Sequence, residues 1–183
     1  MATTFDNFLH NVLKDLRVEL TDEFDRNFER KAFFTDAWPA TKRAVSRGSL
    51  MMRTGDLRAG NKTEVLSNGL SFTNSMPYAA IHNEGGTLTV TAAMKKYFWA
   101  MYYKASGGVT TKKSGQVSKS KRNMALTQEA EYFKGLALMK VGSKLKIPQR
   151  QFIGPHNKVD EMVQQVLDEN VKELAAYIAQ RLK

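Results

Sequence analysis

NKTEVLSNGLSFTNSMPYAAIHNEGG, residues Asn61–Gly86, reads as two extended runs joined by a polar turn, then a short helix, then a glycine pair. Lys62–Ser67 and Leu70–Asn74 flank Asn68-Gly69. Asn-Gly tolerates the two positive φ values of a type I′ hairpin turn. Leu70 and Phe72 fall on one side of the second run and Ser71 and Thr73 on the other, the pattern of a half-buried strand. Pro77 suits the first position of the helix that follows, whose inward side would hold Tyr78, Ile81 and Ala80. Gly85-Gly86 ends that helix. Thr87–Thr91 is a third strand by its β-branched content.

Long helices flank this unit. Phe5, Leu9, Val12, Leu16, Leu20, Phe24 and Phe28 recur at threes and fours, an amphipathic stripe over Phe5–Phe28. Thr3 or Thr4 can cap it. Phe33, Phe34 and Trp38 then anchor the helix end to the core, or touch a second subunit, before Pro39 stops any continuation. Downstream, Lys146–Gly154 is the last extended piece. Phe152 and Ile153 are expected to join the sheet there, with Pro148 at the strand's entry or edge. Asn157 or His156 caps a final helix reaching about Leu182. Its stripe is Val159, Met162, Val163, Val166, Leu167, Val171, Leu174, Ile178 and Leu182. Asp160 and Glu161 open that helix and Arg181 and Lys183 close it, as the helix dipole favours. The reading is an α+β domain: a small, mainly antiparallel sheet with long N- and C-terminal helices packed on one face.

Between these landmarks, Ala40–Arg53 is irregular and basic, with Leu50, Met51 and Met52 turned inward. Thr54–Arg58 reads as a short helix capped by Thr54, with Asp56 in its first turn, unless Gly55 serves a close backbone approach. Ala92–Ala105 is a helix that is apolar almost all round, so it is deeply buried or embedded between molecules. Tyr97, Phe98, Trp99, Met101, Tyr102 and Tyr103 are its candidate intersubunit contacts. Gly107–Lys121 has no apolar period and reads as a mobile loop. A second helical pattern runs from about Asn123 to Lys140. Residues 92–140 therefore read as a helical hairpin arm inserted into a single domain spanning 1–183.

Composition narrows the partners. The 183 residues are 42% hydrophobic and 25% charged, which suits a globular chain with a real core. No apolar run approaches bilayer length, so no membrane partner is expected. Asp6 and Asp15 interrupt any secretion-signal pattern at the start. Cysteine is absent, which excludes disulfides and thiolate chemistry and fits a reducing interior. The net charge is +10. Lys104–Arg122 holds Lys104, Lys112, Lys113, Lys119, Lys121 and Arg122 and no acid, so more than half the excess sits in one segment. Lys112, Lys113, Lys119, Lys121 and Arg122 are candidate contacts to DNA or an acidic partner, through phosphates and not through base stacking, since the segment between the flanking helices has no aromatic residue. The alternative is a solvated loop.

The chain offers little to catalysis. His10, His82 and His156 are far apart, and His82 and Glu84 sit two residues apart, where helical side chains diverge. None of the phosphate-loop, nucleophile-elbow or zinc-helix motifs occurs. Ser46, Ser49 and Ser75 have no local base. No cofactor, metal or enzymatic role is expected.

Three pieces in order carry a resemblance: Leu50-Met-Met-Arg-Thr-Gly-Asp-Leu-Arg58, Pro77-Tyr-Ala-Ala-Ile-His-Asn-Glu-Gly-Gly86 and Ile147-Pro-Gln-Arg-Gln-Phe-Ile-Gly154. Together they resemble the phage virion morphogenesis family, which includes tail-completion and neck proteins of Mu-like and P2-like tailed phages. Thr54, Gly55, Leu57, Tyr78, His82, Gly85, Pro148, Arg150, Phe152 and Gly154 are the matching positions, and they read as scaffold. One departure is Gln151, where the family often has proline. The resemblance implies a structural virion protein assembled in the host cytoplasm, without catalysis or cofactor. It implies a homo-oligomeric ring at the head–tail junction or a cap on the completed tail tube. Its implied partners are further copies of itself, the tail tube protein, head-completion or connector proteins, and genomic DNA passing through the lumen. The alternative is a protein that binds nucleic acid without sequence preference through the basic loop at 104–122.

Overall fold

The computed structural model describes residues 4–41 and 48–181. Thr3, Ser46, Leu182 and Lys183 lie outside these, as do the side chains of Thr4 and Phe5 and part of the Ala40–Arg53 segment. The class is α+β, with long N- and C-terminal helices. The strands form three separate two-stranded antiparallel ladders in place of one sheet. The chain divides into two compact units: Met1–Trp38, Gly55–Ala79 and Arg150–Lys183 form the first, and Pro39–Thr54 and Ala80–Gln149 the second.

The first unit is built on α1 (Thr4–Arg30), of whose stripe Val12, Leu16, Leu20, Phe24 and Phe28 are buried, as the period requires. Leu20 and Phe24 pack with Phe33 and Phe34, and Val12 and Leu16 with Val166. β1 (Ala32–Phe33) and β2 (Asp36–Ala37) form a tight ribbon that the sequence did not announce. Its turn holds Phe34 at φ 54, a conformation that costs a residue with a Cβ about 1–3 kcal/mol. Asn27, fully buried on α1, supports it by accepting the Phe34 N–H at 2.9 Å. The Phe34 ring stacks on His156 at 4.6 Å.

α2 (Asp56–Ala59) begins at Gly55, not at a Thr54 cap. Gly55 has φ 91 and open space around it, so glycine is needed for backbone conformation and not for close approach. Arg58 then reaches α1, donating from Nε to Asp25 Oδ1 at 2.6 Å and from Nη2 to Glu29 Oε1 at 2.8 Å. Bonding to these two carboxylates, Asp25 first, pushes the Arg58 guanidinium above its ordinary value.

β3 (Asn61–Leu66) and β4 (Gly69–Asn74) make the expected hairpin, and Leu70 and Phe72 lie against the α1 core. The turn differs. Leu66 pairs with Gly69, so Ser67-Asn68 are central, and neither has positive φ. The far end sets this register: Asn74 Nδ2 donates to Asn61 Oδ1 at 2.6 Å and to the Leu57 carbonyl at 2.7 Å. Val65 then faces Leu70 across the ladder.

α6 (Asn157–Arg181) is capped by His156, whose Nδ1 accepts the Lys158 N–H at 3.0 Å. Only part of its stripe is covered. Val159, Met162 and Val166 pack inward, whereas Val163, Leu167, Val171 and Ile178 are exposed. Phe152 does not join a strand. Its ring is fully buried 5.2 Å from Phe28, and its carbonyl accepts from Asn27 Nδ2 at 3.3 Å. Ile153 packs on the same core without a ladder.

The second unit resumes within α3 (Ala79–Glu84), which starts two residues after Pro77, so Ala79 takes the buried position and Tyr78 is exposed. Gly85 ends it at φ +72, where a Cβ would lie 2.8 Å from Gln149 N. β5 (Gly86–Thr89) pairs with β6 (Lys144–Ile147). Pro148 follows β6 and stops the ladder, because it has no N–H to give. This ribbon closes the base of the expected arm. The arm itself is α4 (Ala92–Gly107), capped by Thr91, and α5 (Lys121–Leu138), capped by Ser120. Phe98, Phe133 and Ala137 form its interior, with Met94, Met101 and Leu136 around them.

Candidate functional site

The six aromatic and Met candidates on α4 separate by rotation. Phe98 is turned into the hairpin against Phe133, and Trp99, Met101 and Tyr102 are half-buried beside it. Tyr97 and Tyr103 are 56% and 65% exposed. At 3.6 residues per turn they share the outer side of α4 with Ala93, Lys96, Ala100 and Lys104, all exposed. α4 carries three lysines and no acid. The outer face is therefore aromatic and cationic.

The basic segment after α4 makes its own backbone contacts. Thr111 and Val117 form a bridge, and the Lys112 N–H bonds the Gln116 carbonyl at 2.7 Å. Both ends of the 107–121 excursion are tied by Asn123. This buried side chain donates to the Thr110 and Ser118 carbonyls, each at 2.7 Å, and accepts from Thr110 N at 3.2 Å. An amide can donate and accept at once, so one residue ties both ends of the excursion. Sequence reasoning missed Asn123 because it looks like any polar residue near a helix start. Lys112, Lys113 and Lys119 are exposed on this loop. Lys121 and Arg122 occupy the first turn of α5, which holds no acid. Cations at a helix N-terminus oppose the helix dipole, so local helix stability does not account for them.

A third cationic surface was missed. Thr87 faces Lys146 and Thr89 faces Lys144 across the β5–β6 ribbon, and all four side chains are exposed. Lys144 Nζ donates to Thr89 Oγ1 at 2.8 Å. Opposite residues in a ladder share a face, so this ribbon presents a Lys/Thr side.

The charge is divided by unit. The second unit holds sixteen Lys and Arg against three Asp and Glu, and the first holds twelve against fifteen. The net +10 is thus the difference between a strongly basic unit and a mildly acidic one. The exposed part of α6 belongs to the acidic unit. Val163, Leu167 and Val171 run along it at i, i+4, i+8, beside a parallel row of Asp160, Gln164 and Asp168. Gln164 Nε2 donates to Asp168 Oδ1 at 2.8 Å within that row.

The scaffold positions mark where the chain passes between units. Thr54 and Gly55 lie at one passage, Tyr78 just before another, and Pro148 and Arg150 about the last. Leu57, Arg150 and Phe152 are buried in the first unit, and Gly154 has φ +132 there. His82 is half-buried on α3, with Gly85 at the helix end. Among the described residues no three His, Cys, Asp or Glu side chains gather in a metal-binding group. No helix among them is long and apolar enough to cross a membrane.

A family model matches residues 7–172, and its description is the phage virion morphogenesis family. No curated protein and no solved structure matches the chain.

Proposed function

The chain belongs to the phage virion morphogenesis family, and from that premise we propose that it is a ring-forming structural protein of the virion neck or tail end. Family membership supports a role in building the particle, as opposed to catalysis. The observation that carries the finer reading is the exposed apolar surface left on two helices, Tyr97 and Tyr103 on α4 and Val163, Leu167 and Val171 on α6. Surfaces of this kind on a folded chain mark protein contacts. In this reading the ring sits at the head–tail junction or caps the tail tube. Its neighbours are tail tube protein and head-completion proteins, and DNA crosses its lumen. Mass measurement and negative-stain imaging of the purified protein, alone and with its tail tube protein, are expected to show closed rings. A strict monomer under both conditions overturns the reading.

A second reading has its own support: the lysines after α4 sit on a loop held in shape by Asn123. Ordered cations lose less freedom on meeting phosphates than mobile ones. Replacing Lys112, Lys113, Lys119 and Lys121 by Gln is expected to weaken DNA binding and to lower the salt-dependence slope by about 3.6, roughly 0.9 for each lysine. An unchanged slope removes the loop from DNA contact.

A further inference from the structure

We propose that copies of this chain join head to tail through two named helix faces: the α6 row Val163–Leu167–Val171 with its acidic edge on one copy, and the outer face of α4 on the next. This rests on the ring reading and specifies the surfaces that make the ring. Three observations carry it. Both faces are exposed and apolar within one chain. They belong to units of opposite charge, the acidic first and the basic second. And the charges lie at the faces themselves: Asp160 and Asp168 border the aliphatic row, while Lys96 and Lys104 share the aromatic face.

The pairing is chemically specific. Aliphatic side chains on α6 would cover the Tyr97 and Tyr103 rings, whose hydroxyls stay at the wet rim. Lys96 and Lys104 would meet the Asp160–Asp168 edge. The same contact cannot pair two copies of the α6 face, because acid would meet acid, nor two α4 faces, because lysine would meet lysine. A contact between two different faces is heterologous. Repeated around an axis whose rotation closes, it makes a ring.

The test is a charge swap read by mass in solution. Asp160→Lys with Asp168→Lys is expected to raise the concentration at half-assembly about a hundredfold, because like charges then face each other. Lys96→Glu with Lys104→Glu should do the same. All four changes in one chain restore opposite charges and are expected to restore assembly. All four positions are at exposed helix surfaces, and thermal melting confirms that each variant folds. If wild-type rings form and neither swap disturbs them, this contact is wrong and the ring reading stands. If wild type never assembles, the ring reading itself falls. Should Lys96→Glu with Lys104→Glu abolish DNA retention while leaving assembly intact, the α4 face is a nucleic-acid surface and the proposal is overturned.

Discussion

Phe152→Ala is expected to destabilise the first unit by about 3–5 kcal/mol. The ring is fully buried, with the Phe28 ring 5.2 Å away, and Phe28 in turn meets Trp38 edge-on at 5.6 Å. The loss has two sources: the transfer energy of the missing ring, and the cavity left between side chains that cannot all move in. The backbone adds a third. Asn27 is fully buried and bridges the Phe152 carbonyl to the Phe34 N–H. Relaxation at Phe152 therefore strains a turn that already holds Phe34 at φ 54. With two compact units, unfolding need not be two-state. Hydrogen exchange of the α1 amides is the suitable measurement, and those amides are expected to lose protection while α5 keeps it. A loss below about 1 kcal/mol would place Phe152 outside the cooperative core.

Asn123→Ala is expected to loosen the basic loop by about 2 kcal/mol, close to a thirtyfold rise in its open fraction. The substitution leaves the Thr110 and Ser118 carbonyls and the Thr110 N–H without the partner that Asn123 supplies. Limited proteolysis within residues 108–120 reads the opening directly. Asn123→Asp keeps the acceptor and loses the donor, so an intermediate cleavage rate is expected. Equal rates in wild type and Asn123→Ala would mean the loop is held by something else. In the reading that places DNA on this loop, the same variant is expected to lower DNA affinity, because the lysines would then have to be ordered on binding.

Much of the architecture is legible in the residues. α1 and α6 follow from stripes of threes and fours, and α4 and α5 from aromatic-rich helical runs separated by a Gly/Ser/Thr-rich segment. The hairpin follows from the alternation of Leu70 and Phe72 with Ser71 and Thr73. These are local signals. The errors share a cause. Asn68-Gly69 pointed to a type I′ turn, but bonds at the other end of the hairpin outweighed it. Thr54 looked like a cap, but Gly55 entered the left-handed region and took the position. Phe152 looked like a strand residue because its neighbours are extended, yet it is claimed by Phe28 and Asn27, more than a hundred residues away.

The candidate surfaces divide in the same way. The richness of α4 in aromatic residues and the cluster of lysines behind it are visible in the chain. Which ring faces outward is not, because Phe98 and Tyr97 differ by one position and only the seat of α5 decides between them. By itself the sequence determined the class, the long helices, the inserted hairpin and the family. Each rests on periodicity or on short motifs whose residues are near neighbours. The tertiary structure alone decided three things. They are how far α1 covers the α6 stripe, that Asn123 ties the basic loop, and that one folded unit gathers all the excess positive charge while the other is mildly acidic. Burial and charge at a surface are sums over residues remote in sequence, and those residues meet only when the chain has folded.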